Sequence, residues 1–375
     1  GPIYGLTNAP ILPGSGGGGW STTTGGSGGG AVRIVASNGT VTVNGGILAD
    51  GKGTIERATG AGSGGSIYIT TRLLAGSGSM RARGGWATDT AAPPPGGGGG
   101  RIAVEYDIAT QSTSVVPGIV FTVAGGVGTG NDGDVGTLFF PDNTFLKEIF
   151  IHSGEWWVGG FTNWAPNRLI VSNGWLRIPG TGFRLSVTNA IEVRGTNNGL
   201  NRLEVSNAAV ACASLYVTNA VFKLWPLATT TAVLSCAGDI VLTNGGRMYV
   251  YAMSTNASQS QYGALVKVAG MLTIGTNAWL YPFSQATNGG SVWFQVFELI
   301  VGGGGGINAN GRGFMGRFNL AGLGPGGGAI YAGGGYGGKG GNYSSYAGGN
   351  PYGASNAPVH PGSAGSALNW GPERY

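Results

Sequence analysis

A short strand entered through glycines recurs along this chain, and the recurrence limits the folds open to it. GGGAVRIV is followed by GGILADG, GGSIYIT by GSMRARG, GGGRIAV by FTVAGG, and GGSVWFQV by GGINANG. The first three strands open at Ala31, Ser66 and Arg101, two intervals of 35 residues, and the fourth opens at Ser291. Apolar and polar residues alternate within them, the period of a strand, and no sustained helical period competes. A unit repeated at such an interval cannot bury a face by itself, but it can when stacked on its neighbours.

The middle of the chain carries a different refrain. VSNG, VTNA, VSNA, VTNA, LTNG and GTNA place Asn at 173, 189, 207, 219, 244 and 277, each between β-branched or aromatic runs. Asn before Gly or Ala tolerates left-handed backbone and bonds to its own main chain, which makes turns. The expectation is an all-β parallel β-helix, or solenoid, stacked between residues 30 and 310, with Asn173, Asn189, Asn207, Asn219 and Asn244 at turns. An antiparallel sandwich built from hairpins is the competing architecture.

Between the strands lie glycine runs, which account for much of the 79 glycines in 375 residues. Glycine chain in an extended, three-residue helix like polyproline II turns its N–H groups toward neighbouring chains, and only Gly permits that closeness. Polyglycine II-like arms are therefore expected at 16–30, 96–100 and 326–341, hydrogen-bonded to other glycine chain. Gly→Val near Gly98 or Gly327 should then disrupt packing. Flexible linkers are the alternative.

Charged residues make up only 9% of the chain, well below the usual quarter or so, yet 41% are hydrophobic and 10% aromatic. Such a chain can bury a core. Its +5 net charge comes from scattered single arginines such as Arg33, Arg57 and Arg72, with no stripe to track a phosphate backbone, so nucleic acid is excluded as a partner. The same charge favours contact with an anionic cell-surface polysaccharide. No apolar window is long enough for a membrane span. The opening Gly1-Pro2 reads as a processed product or as a module of something longer. Cys212 and Cys236, 24 residues apart, read as core thiols or as one bridge between stacked coils.

GGGYGGKGGN, YGASNAPVHPGS, GGSGGGAVRIVASNGTVTVNGGILADG and GGSIYI…GGGGGRIAV resemble the glycine-rich repeats of very large secreted bacterial surface proteins with β-helical structure. The likeness covers 1–140 and 289–375, while the middle is similar to autotransporter-like β-helices. It implies an extracellular or cell-surface location and a repeat type, with no catalytic residues to carry over. The polyglycine-helix domain of certain receptor ectodomains is similar in composition alone.

Material for chemistry is sparse. His152 and His360 stand 208 residues apart without Cys or carboxylate clusters, which leaves little for zinc or for a nucleophilic triad. Glu105 and Asp107 alternate in RIAVEYD and on a strand would share one face, as acid/base work on a glycan requires. Asp132 and Asp134 in GGVGTGNDGDVG are the only calcium candidates, in an imperfect copy of the GGxGxD nonapeptide. No phosphate-binding loop is present. Trp156, Trp157, Trp164, Trp175, Trp225, Trp279 and Trp293 are core or a sugar-stacking platform. Nothing calls for a cofactor.

The remaining signal is a repeated phrase. YGLTNAPILPGS (4–15) and YGASNAPVHPGS (352–363) agree at eight of twelve positions, at a constant offset of 348 (352 − 4). Three prolines or fewer per phrase favour extended straps without ladder donors. Tyr4, Asn8, Pro10 and Pro13, with Tyr352, Asn356, Pro358 and Pro361, are candidate assembly residues. Tyr331, Tyr336, Tyr343 and Tyr346 join them, since Tyr suits interfaces.

Composition divides the chain into a glycine-rich β-repeat region (1–144), a solenoid with SNG/TNA turns (145–290) and a glycine/tyrosine-rich assembly tail (291–375). The functional expectation is a non-enzymatic extracellular structural protein. It would polymerise head to tail into filaments or a sheath, with 351–375 packed on the next copy. A secreted polysaccharide-active β-helix enzyme and a carbohydrate-binding adhesin module are the alternatives.

Overall fold

A computed structural model describes residues 2–89, 92–180, 182–196, 201–206, 208–226, 231–254 and 262–367. Asn207 and the tail beyond residue 367 lie outside the described residues. Strands occupy 41% of the chain and helix 1%, and the paired strands run parallel, so the fold is all-β, of the parallel β-solenoid class. The chain forms two compact units: 1–161 with 169–179 and 193–204, and 162–168 with 180–192 and 205–375.

In the first unit, Ala31–Thr42, Ser66–Ala75, Arg101–Glu105, Thr137–Phe139 and Ser153–Trp157 pair one after the next, all parallel. The register stacks Val32, Ile67, Ile102, Leu138 and Trp156 in one interior column. A second series, Gly46–Leu48, Ser79–Arg81 and Val120–Thr122, stacks Ile47, Met80 and Phe121. In the second unit, Val221–Trp225, Arg247–Tyr251, Trp279–Phe283 and Gly306–Ile307 stack Phe222, Met248, Leu280 and Ile307. Opposite them, Ile240–Thr243, Ala264–Ile274 and Val292–Val301 continue the column Leu215, Ile240, Leu272, Leu299. Burial alternates along these strands, so each coil contributes every second side chain. Each fully buried aliphatic or aromatic contributes about 1.5–3 kcal/mol.

Asn173, Asn219, Asn244 and Asn277 hold φ of 52°, 49°, 48° and 57°, the left-handed corners their sequence predicts. At Asn244 the following Gly245 is also left-handed (φ 81°), and Gly246 N donates to Thr243 O at 2.8 Å to close the corner. Asn189 differs from expectation: it lies inside the strand Phe183–Arg194. Its N–H donates to Asn167 O at 2.8 Å and its amide Nδ2 to Asn167 Oδ1 at 2.8 Å. Bonding to a neighbouring coil there outweighs the local turn chemistry.

The glycine runs are built into the structure. Segment 96–100 bonds to four other segments. Gly97 N donates to Gly85 O (2.9 Å) and Gly99 N to Asp134 O (2.8 Å), while Gly64 N donates to Gly98 O (2.9 Å) and Gly126 N to Gly97 O (2.8 Å). A sheet strand has two neighbours; four imply a bundle of extended chains with N–H and C=O radiating in several directions. The run 16–30 joins the bundle through Gly17 N to Gly26 O (2.8 Å) and Gly26 N to Gly60 O (3.0 Å). In the second unit Gly335 N donates to Gly326 O (2.8 Å) and Gly333 N to Gly341 O (3.0 Å).

A Cβ at Gly97 would sit 2.0 Å from Gly62 O, at Gly99 1.9 Å from Val123 O, and at Gly327 2.1 Å from Gly322 O. Gly98 itself differs from its neighbours, because its Cβ would meet nothing within 4 Å. The extended helix rotates each residue to a different side, and Gly98 is the one that faces open space.

Candidate functional site

The two copies of the repeated phrase close into the same loop. Tyr4 Oη donates to Pro13 O (2.7 Å), and Ser15 Oγ donates to Tyr4 Oη (3.0 Å). Tyr352 Oη likewise donates to Pro361 O, and Ser363 Oγ to Tyr352 Oη at 2.9 Å. Gly5 and Gly353 turn both loops with φ of 78° and 80°. Each strap therefore shapes itself by a tyrosine hydroxyl that spans the proline segment, while its remaining groups meet the chain beneath.

Each strap lies on a seat within its own unit. Ser66 Oγ donates to Leu12 O (2.5 Å), Ser63 N to Ser15 O (2.9 Å), and Ser15 N to Ser63 Oγ (2.8 Å). Arg101 donates to Tyr4 O from Nη2 (3.0 Å) and to Thr7 Oγ1 from Nη1 (3.1 Å). Pro10 is buried and Asn8 exposed. Under the other strap, Ser291 Oγ donates to Val359 O (3.1 Å), Gly326 N to Ser363 Oγ (2.9 Å), and Phe314 N to Gly362 O (3.0 Å). Tyr352 N donates to Tyr336 O (2.7 Å) and the two rings meet edge to face at 5.0 Å. Here Asn356 and Pro358 are both exposed. The other tail tyrosines pack on one another, Tyr331 edge-on to Tyr343 (5.8 Å) and Tyr346 (5.4 Å).

The carboxylates are committed elsewhere. The strand carrying Glu105 ends there, and Asp107 caps the short helix Ile108–Ser112, accepting from Thr110 N at 2.7 Å. Hydrogen bonding from Thr110 holds the Asp107 carboxyl below its usual range. The shared strand face expected for this pair is therefore absent, because the side-chain cap starts a helix. Asp132 and Asp134, the calcium candidates, face guanidinium groups: Arg202 Nη2 lies 2.6 Å from Asp132, and Arg177 Nη2 2.5 Å from Asp134. A cation there would meet positive charge.

Arg177 is the centre of an ion cluster that sequence reasoning missed. Its Nη2 lies 2.7 Å from Glu204 Oε2, and its Nη1 lies 2.9 Å from Asp134 Oδ2 and 3.8 Å from Glu155 Oε2. Glu204 is fully buried. Burial opposes the Arg177 charge, but hydrogen bonds and charge from Asp134 and Glu204 outweigh it and raise its pKa. Burial raises Glu155, against donation from Trp157 and the nearby Arg177. The four residues are spaced by 21, 22 and 27 (155 − 134, 177 − 155, 204 − 177), one per coil, and that interval is the signal that could have found them. One guanidinium held by carboxylates of successive coils is a clamp.

The aromatic row on the second unit is also self-satisfied. Trp225 stacks on Tyr251 at 3.7 Å and 4°, and Tyr251 on Phe283 at 4.5 Å and 20°. Tyr249 stacks on Tyr281 at 4.7 Å, and Arg312 lies 4.3 Å over Phe283. The facing rings of this row cover one another and Arg312 covers Phe283, whereas Trp157 and Trp293 are exposed. Trp156 and Trp175 are core, with His152 buried between Phe121 and Phe150. Cys212 and Cys236 are register partners, buried and unbridged. Among the described residues no group of three or more His, Cys, Asp or Glu is placed to hold a metal, and no helix is long and apolar enough to cross a membrane.

Comparison with known protein families, curated proteins and solved structures finds no match to this chain.

Proposed function

We propose that this protein is an extracellular structural protein whose copies stack head to tail through their open coil ends. One observation carries the reading: the interior columns are left uncovered at the last coil. Among the described residues Val292–Val301 pairs on one side only, with Ala264–Ile274. Leu299, Val301 and Ile307 occupy core positions of their columns, yet remain 46%, 47% and 43% exposed, and Phe297 is 83% exposed. In the first unit, among the described residues, Ala31–Thr42 pairs only with Ser66–Ala75, and Val32, Ile34 and Ile47, whose register partners Ile67, Ile69 and Met80 are fully buried, are left half-buried. Bare strand edges over apolar columns favour another parallel coil. The first coil of a second copy has the same pleat, and a last-on-first contact does not close on itself, which yields a filament.

The motif resemblance to secreted surface repeats, and a surface made of glycine backbone more than of ions, support a place outside the cell. The +5 charge suits an anionic surface polysaccharide as a secondary partner. Negative-stain microscopy of purified protein tests the reading, with Phe297→Asp/Leu299→Asp as the comparison. Fibres are expected from the parent chain, and folded single particles from the variant. Separate particles from the parent at high concentration would overturn it.

A further inference from the structure

Resting on head-to-tail stacking, we propose that adjoining copies exchange their straps: 352–363 of one copy occupies the seat of 4–15 in the next, and the displaced 4–15 fills the vacated seat. The straps are interchangeable by their chemistry. Both carry the Tyr–Pro–Ser closure, the left-handed glycine, and carbonyls at the positions each seat bonds. The seats are also related. Ala31–Gly53 and Ser291–Gly313 align at one offset (291 − 31 = 306 − 46 = 260), pairing GGILADGKG with GGINANGRG. The 4–15 strap lies on the glycine arm that follows the first of these and the 352–363 strap on the arm that follows the second.

The second strap suits the first seat better than its own. Thr7 corresponds to Ser355, which keeps the hydroxyl that Arg101 bonds in the first seat. In its own seat the Ser355 hydroxyl has no hydrogen bond among the described residues, Pro358 is exposed where Pro10 is buried, and the buried Tyr336 Oη has no partner. Since exchange conserves the number of seated straps, it is nearly neutral, and the stacked coil ends supply the bias. The second seat reaches the last coil at Ser291, and the first lies one and two coils in from the edge strand, at Ser66 and Arg101.

The test uses the full chain carrying Ser63→Cys and Ser363→Cys, assembled and treated with a short bis-thiol cross-linker; native Cys212 and Cys236 are buried. Exchange brings 363 of one copy to the place of Ser15 beside Ser63 of another, so a covalent ladder is expected on a denaturing gel. Ser15→Cys/Ser63→Cys should link within single chains in unassembled protein and lose that linkage on assembly. As a second measurement on the unaltered chain, a synthetic peptide of residues 350–365 should shorten the fibres. Its Ser355→Ala form should be about tenfold weaker, having lost a charge-assisted hydrogen bond. Fibres without a ladder, and indifferent to the peptide, overturn exchange while head-to-tail stacking stands. Protein that stays monomeric at high concentration removes both.

Discussion

Two adjacent glycines, Gly98 and Gly99, separate the bundle from a plain linker. A Cβ at Gly99 would lie 1.9 Å from Val123 O and 2.5 Å from Gly136 N, wedged into the 2.8 Å hydrogen bond that joins those two atoms. Relief to 3.0 Å requires a displacement of 1.1 Å (3.0 − 1.9), enough to break that bond and strain Gly99 N to Asp134 O. Two buried backbone bonds at about 1–2 kcal/mol each put the loss for Gly99→Ala near 2–4 kcal/mol. The reduced freedom of the unfolded chain returns about 0.4–1 kcal/mol. Gly98→Ala meets open space and has no left-handed φ, so only that last effect remains and the protein should hold or gain about 0.5 kcal/mol. Urea unfolding followed by tryptophan fluorescence reads both variants. Equal losses at the two positions, or an unchanged midpoint for Gly99→Ala, would refute the close-packed bundle.

Three further outcomes follow from the same geometry. Burial pushes His152 down to about 4, so it stays neutral in the fold while the unfolded chain takes a proton near pH 6.5. Stability is then full above pH 6.5 and falls by about 3 kcal/mol as pH drops toward 4, and His152→Gln should flatten that slope in pH-dependent unfolding. Arg177→Met takes the guanidinium away from the fully buried Glu204 carboxylate and should cost about 3–5 kcal/mol by denaturant titration, with Arg177→Met/Glu204→Gln recovering part. Asn244→Ala, at φ 48°, should lose about 1 kcal/mol while Asn244→Gly holds, which thermal unfolding of the pair compares.

The class of fold was legible because its causes are local and repeated. Alternation within GGSIYIT or DIVLTNG states which side chains turn inward, and Asn before Gly or Ala states where the chain can turn left-handed. Both hold without knowledge of the neighbouring coil, and the repeated interval then leaves stacking as the way to bury those faces. The straps were legible as well, as a phrase printed twice. What each strap rests on was not, since Ser63, Ser66 and Arg101 are brought beneath 4–15 only by the winding of the chain.

Only the tertiary structure decided which glycine of a run is irreplaceable, because Gly98 and Gly99 are identical in sequence and differ in what lies beside them. It decided that Asn189 continues a strand, through Asn167 on a neighbouring coil, and that Asp107 starts a helix. It also gathered Asp134, Glu155, Arg177 and Glu204, one per coil, into a clamp. Such contacts join residues some twenty or more positions apart, and unequal coil lengths fix their pairing. A strand's period can be read along the chain, but the partner across a coil depends on how many residues the intervening turns and arms consume.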